Sequence, residues 1–252
     1  MPESIEVNGV RLAYDTYGGA AAPAMVLLHG GGADRSTWSR VGPALGAGHR
    51  VYAPDLRGFG DSARPGAYSF ELMRDDVVGF VEALGLRDVT LVGHSMGGTV
   101  AWLVAMRRPD LLRRLVVEDT PPPRAGGAPR PVPARPADPP PFDWDALEAV
   151  LRQLNDPDPR WWRAAASIPL PVLVLAGGPA SHVPQQELAE VAAWVPDGRL
   201  VTIPAGHGIH LARPDEFVAA VAAEPPAVAA EPPAVAAEPP AVAAEPPGGA
   251  MP

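Results

Sequence analysis

The sequence predicts an α/β fold in which a mostly parallel sheet is covered by helices on both faces. Short β-branched runs alternate with helical stretches through most of the chain. The runs are apolar at nearly every position, as buried parallel strands require, and the chemically distinctive motifs follow directly after them.

In chain order, Ile5–Val7 and Val10–Tyr14 flank Asn8-Gly9 and read as a hairpin. The predicted buried strands are Ala24–Leu28, Val51–Ala53, Val89–Val92, Leu115–Val117, Val172–Leu175 and Leu200–Ile203. Helical patterns lie near Thr37–Leu45, Ser69–Leu84, Thr99–Arg107, Gln185–Trp194 and Pro214–Val221. In such sheets ligands bind at the carboxyl ends of the strands, so function is expected just after each apolar run.

Two segments break the alternation. Residues 121–141 hold ten prolines and cannot form a helix. From Ala220 the unit Ala-Val-Ala-Ala-Glu-Pro-Pro occurs four times, ending at Pro247. Its proline pairs break helices and valine is its only sizeable apolar side chain, so the extension cannot offset its ordering entropy. The predicted organisation is therefore a domain over residues 1–222 and a disordered, low-complexity tail over 223–252.

Composition removes several functions. The 252 residues include 20 Arg, no Lys and no Cys, which excludes disulfides, thiolate zinc sites, a cysteine nucleophile, a Schiff-base lysine and a P-loop. The net charge is −9, and the four tail glutamates leave −5 for residues 1–223. An acidic body with scattered arginines is a poor match for nucleic acid. The polar start lacks the basic and apolar regions of a signal peptide, and no apolar run is long enough for a bilayer span. A soluble cytoplasmic protein with no membrane contact is expected; oligomeric state is not legible.

After Val89–Val92 comes Gly93-His94-Ser95-Met96-Gly97-Gly98. A serine with glycines at −2 and +2, between strand and helix, fits a nucleophile elbow: a Cβ at either flank would collide with backbone, and the turn lifts the hydroxyl clear of the sheet. After Ala24–Leu28 comes His29-Gly30-Gly31-Gly32, whose bare backbone offers N–H groups to a shared cavity. Gly31 and Met96 are the predicted oxyanion donors. After Leu200–Ile203, His207 stands in a glycine-flanked loop fit for a general base. His210 reads as a packing or loop-bonding residue, because no helix or nearby carboxylate supports a zinc site with His207. His94 reads as a packed core neighbour, and Trp38, Trp161 and Trp162 as pocket wall or ordinary packing.

Ser95 followed by His207, the His29-Gly30 loop and the stretch Asp55-Leu56-Arg57-Gly58-Phe59-Gly60-Asp61-Ser62 together resemble the α/β-hydrolase fold family over roughly residues 4–222. The resemblance implies eight strands with the first two antiparallel, the chain order nucleophile, acid, histidine, and a cap inserted after the sixth strand, here about residues 120–168. It also implies that Asp55 and Arg57 pair to hold their loop. In that cap a helix is expected over Asp143–Leu154, with Leu147, Val150, Leu151 and Leu154 on its apolar face. Ser95 in place of an aspartate argues against a haloalkane dehalogenase or an epoxide hydrolase.

The sequence departs from the family at the acid. Where the family commonly has an aspartate after the seventh strand, the loop Gly177–Pro184 has Ala180, beside Ser181 and His182. After the sixth strand stand Glu118 and Asp119, which strand alternation turns to opposite sides. Asp119 is the favoured acid, being nearer the strand's exit; Glu118 is the alternative, and a Ser95–His207 dyad the third. The expected function is a serine hydrolase acting without metal or cofactor on a small carboxylic ester, lactone or thioester. Acyl transfer or haloperoxidase-like chemistry would use the same residues, and a non-catalytic scaffold is the rival from another class.

Overall fold

The computed structural model describes residues 2–127 and 129–223; the repeat tail expected to be disordered lies almost wholly outside them. Eight strands are present: β1 (Glu3–Val7), β2 (Val10–Tyr17), β3 (Ala24–Leu28), β4 (Arg50–Pro54), β5 (Val89–His94), β6 (Leu112–Glu118), β7 (Val172–Ala176) and β8 (Gly198–Thr202). The α-helices are α1 (Gly42–Leu45), α2 (Phe70–Ala83), α3 (Met96–Arg107), α4 (Trp144–Asn155), α5 (Arg160–Ala164), α6 (Gln185–Trp194), α7 (Ile209–Ala212) and α8 (Pro214–Ala222).

The strands form one sheet in the order β1-β2-β4-β3-β5-β6-β7-β8. β1 and β2 are antiparallel, β2 is antiparallel to β4, and every later pairing is parallel. Asn8 and Gly9 both have positive φ, 50° and 74°, which lets the two-residue turn match the twist of its strands.

Side-chain alternation shows why the strands are apolar throughout. Val26 and Leu28 of β3 pack into one core with α2, α3 and α6, whereas Met25 and Leu27 pack into a second core with Trp38, Leu45 and Phe217. β6 divides likewise, with Leu115 and Val117 on one face and Val116 on the other. Each fully buried Phe or Leu contributes about 1.5–3 kcal/mol.

Three local expectations change. The stretch Thr37–Leu45 is a 3-10 turn over Arg35–Trp38 followed by the one-turn α1, because Pro43 has no N–H to continue a hydrogen-bond ladder. α3 begins at Met96 rather than Thr99; Gly97-Gly98, poor helix formers, conceal its first turn. Asp55 and Arg57 do not pair with each other. Asp55 accepts from the Arg35 side chain and from the Arg35 (2.7 Å) and Asp61 (2.8 Å) N–H groups, while Arg57 forms a two-pronged bond with Asp76 on α2.

No regular element occurs among the described residues between β6 and α4. Asp143 caps α4 by accepting from Asp145 N–H at 3.1 Å. No helix among the described residues is long and apolar enough to cross a membrane.

Candidate active site

The chain enters the site from β5. An ideal Cβ on Gly93 would stand 2.4 Å from Gly97 O, and one on Gly97 would stand 2.4 Å from Leu28 O and 2.6 Å from His29 O. Backbone occupies both spaces, so only glycine fits. Between them Ser95 has φ 52° and ψ −117°, on the left-handed side that non-glycine residues rarely adopt. Such a conformation costs on the order of 1–3 kcal/mol and persists only where its surroundings impose it. Here Gly97 N–H donates to His29 O (3.0 Å), binding the elbow to the loop after β3.

Met96 opens α3, and its N–H belongs to the first turn, where helical N–H groups have no intrahelical acceptor. A Cβ on Gly31 would lie 3.7 Å from Met96 Cβ, so the two backbones pass side by side. The Gly31 N–H has no acceptor among the described residues. Ser95, Met96 and Gly31 line one cavity of about 460 Å³, together with His207.

β6 delivers the carboxylates. Asp119 N–H donates to Leu175 O (2.7 Å), and a φ of 49° turns the residue out of the strand. Its carboxylate accepts from His207 Nδ1 (2.9 Å), Gly177 N–H (2.8 Å), Gln185 Nε2 (3.1 Å) and the Ser181 hydroxyl. Burial pushes this carboxyl up, but the donors led by His207 and Ser181 outweigh it and hold Asp119 below the usual carboxylate range. The bond to Asp119 places the His207 proton on Nδ1 and leaves Nε2 as the basic nitrogen. Among the described residues no hydrogen bond joins Ser95 Oγ to His207; both line the same cavity, and such contacts commonly close only on substrate.

Glu118 points the other way. It accepts from His210 N–H (2.9 Å) and from His210 Nδ1 (2.8 and 2.9 Å), and Thr37 Oγ1 lies 2.8 Å from His210 Nε2. The fold brings to His210 a carboxylate from 92 residues away, which no local pattern around the histidine signals. His94 Nε2 donates to His207 O (3.0 Å), and burial lowers its pKa to about 4. Ligating atoms of His94, Glu118 and His210 fall within 4.8 Å of one another. Those of Glu118 and His210 are engaged in the bonds above, so the cluster is a hydrogen-bonded clamp beneath the His207 loop rather than an open metal site.

Ser181 and Gln185, both in contact with Asp119, belong to no motif of the sequence. Their only signal there is position, just after Ala180, where the family's usual acid is missing. His182, in the loop that lacks the family's usual acid, stands close to the site: its ring lies 4.4 Å from that of His207, centroid to centroid. Trp38, Trp161 and Trp162 do not line the cavity; Trp38 packs on His210 at 4.3 Å, and Trp162 carries the Arg124 guanidinium. From the cap, α4 does present Leu147, Val150, Leu151 and Leu154 to the cavity.

Comparison with known proteins agrees with this architecture. The family model described as "alpha/beta hydrolase fold" matches residues 23–167. The sn-1-specific diacylglycerol lipase ABHD11 of Mus musculus is 30% identical over 267 residues, covering 88% of this chain and 87% of its own. A thermophilic esterase from Thermogutta terrifontis superposes with a TM-score of 0.75 at 25% identity, covering 88% of this chain and 97% of its own. Other relatives match in part: the soluble epoxide hydrolase of Corynebacterium sp. (strain C12) is 41% identical over 114 residues, 45% of this chain and 39% of its own length. A family match across more than half the chain, on a sheet of this order, makes the protein a member of the alpha/beta hydrolase family.

Proposed function

We propose that this hydrolase cleaves a small carboxylic ester, lactone or thioester through an acyl-enzyme on Ser95. The observation that carries the reading is the 2.9 Å bond from His207 Nδ1 to Asp119 Oδ2, made in the wall of the cavity that also holds the strained Ser95. Ser95 Oγ attacks the carbonyl carbon while His207 Nε2 takes its proton. The oxyanion falls to the N–H groups of Gly31 and Met96. Collapse breaks the carbonyl–leaving-group bond, and His207 returns the proton to the departing oxygen or sulfur. Water, deprotonated by His207, then releases the acid.

In this reading Asp119 is the acid, and Glu118 belongs to the His210 clamp. The partial likeness to epoxide hydrolases does not redirect the chemistry. Opening an epoxide on a serine oxygen leaves an ether, with no carbonyl for water to attack.

A fluorophosphonate probe and a series of 4-nitrophenyl esters of graded acyl length test the reading together. Labelling of the wild type that Ser95→Ala abolishes, with turnover of short esters, supports it. An unlabelled wild type that turns over none of the esters leaves a non-catalytic relative.

A further inference from the structure

The cavity has a polar group that the reaction does not use. Thr99 is only 2% exposed, yet it lines the cavity wall from the first turn of α3, four residues after Ser95. Its hydroxyl makes no hydrogen bond with the described residues. The same cavity is lined by the apolar Leu147, Val150 and Leu154 of the cap, with Met96 and Val183.

The other inward-facing polar side chains are accounted for. Thr120 Oγ1 donates to Glu118 O (2.8 Å), and Asp119 holds its four donors. The Asn155 amide bonds the Arg130 backbone in both directions, at 2.7 and 2.9 Å. Arg124 pairs with Glu190 at 3.0 Å. Arg130 and Glu187 stand at the more exposed rim, within reach of solvent. Ser95, His207 and His182 occupy the reacting end.

A hydroxyl in an apolar wall is stripped of water whenever an apolar group fills the cavity, and that loss opposes binding unless the ligand offers a partner. Resting on the acyl-enzyme reading above, we infer that Thr99 is a specificity-determining residue selecting acyl groups with a hydrogen-bond acceptor near the carbonyl, such as an ether, ester or hydroxyl oxygen. Thr99 stands in the first turn of α3, four residues beyond Ser95, so the acceptor it selects belongs to the part of the acyl group close to the carbonyl. His207 has to meet the leaving group as well as Ser95; this gives the His207–His182 side to the leaving group and the α3 wall to the acyl chain.

The test pairs an isosteric substitution with an isosteric substrate change. The esters are 4-nitrophenyl methoxyacetate and 4-nitrophenyl butyrate, which differ by an oxygen in place of a methylene. The readout is the methoxyacetate-to-butyrate ratio of kcat/KM, so the greater intrinsic reactivity of the methoxyacetate cancels between enzymes. Thr99→Val is expected to lower the ratio about three- to tenfold, and Thr99→Ser to retain most of it. Thr99→Ala, which also strips the hydroxyl, serves where Thr99→Val does not fold. A ratio within twofold of wild type in the hydroxyl-less variant overturns the inference while leaving the acyl-enzyme reading intact. Failure of the wild type to hydrolyse either ester, with no fluorophosphonate labelling, overturns both.

Discussion

Asp119→Asn is the most informative perturbation of the proposed mechanism. Asparagine has nearly the same volume and is among the few residues that tolerate a φ of 49°, so the backbone leaving β6 is kept. What changes is donor balance. All four partners of the carboxylate (His207 Nδ1, Ser181 Oγ, Gly177 N–H and Gln185 Nε2) now donate to it, and an amide can accept on one atom only. If the amide nitrogen faces His207, the imidazole is driven to the tautomer with its proton on Nε2 and can no longer deprotonate Ser95. In a serine–histidine–aspartate site that error lowers kcat by roughly 10⁴. The unmatched donors cost about 1–3 kcal/mol of stability. Steady-state hydrolysis of a short 4-nitrophenyl ester, with a thermal melt of the same preparation, measures both quantities. A folded Asp119→Asn enzyme within tenfold of wild-type kcat, beside a Glu118→Gln enzyme down a thousandfold, would refute Asp119 as the acid.

Four further outcomes follow from the same contacts. Ser95→Gly removes activity and relieves the left-handed strain, so its melting temperature is expected to rise by several degrees at about 1 kcal/mol or more. Gly97→Ala places a methyl 2.4 Å from Leu28 O and should yield no soluble folded protein on expression, whereas Gly9→Ala, with open space around it, should express with only a loss of stability from its φ of 74°. Glu118→Gln is expected to lose about 1–3 kcal/mol in a denaturant titration, since His210 keeps an acceptor but not a carboxylate, while fluorophosphonate labelling of Ser95 persists. The last concerns pH. Burial holds His94 down at about 4 and also lowers His29, so below the ordinary histidine pKa of about 6.5 the unfolded chain binds protons that the native state does not. Stability therefore falls as pH drops from about 6.5 towards 4, by on the order of 3 kcal/mol for His94 alone. A melt series that His94→Gln fails to flatten would remove His94 as the cause. Asp119, held below its unfolded value, adds a loss only at still lower pH.

Much of the fold was legible because the signals are local. Alternating apolar runs and helical periods fix which segments become β3 to β8 and which become α2, α6 and α8, to within a few residues at each end. The elbow was legible for a steric reason: glycine is required wherever a Cβ would enter backbone, and Gly93 and Gly97 leave that requirement visible in the letters. The resemblance implies an Asp55–Arg57 pair, but Asp55 meets Arg35 and Arg57 meets Asp76 once β4's loop packs against α2 and the 3-10 turn.

By itself, then, the sequence determined the α/β class, the strained serine between β5 and α3, and the histidine after β8, because periodicity, turn chemistry and van der Waals exclusion act over a few residues. Tertiary structure decided the rest. The sheet order puts β6 beside β7 and β8, bringing Asp119 to His207 across 88 residues and Glu118 to His210 across 92. It also set Thr99 in the wall of the same cavity as the cap's α4, with no hydrogen-bond partner for its hydroxyl among the described residues. Hydrogen bonds between distant carboxylates and imidazoles depend on which strand ends become neighbours, and no local pattern encodes that adjacency.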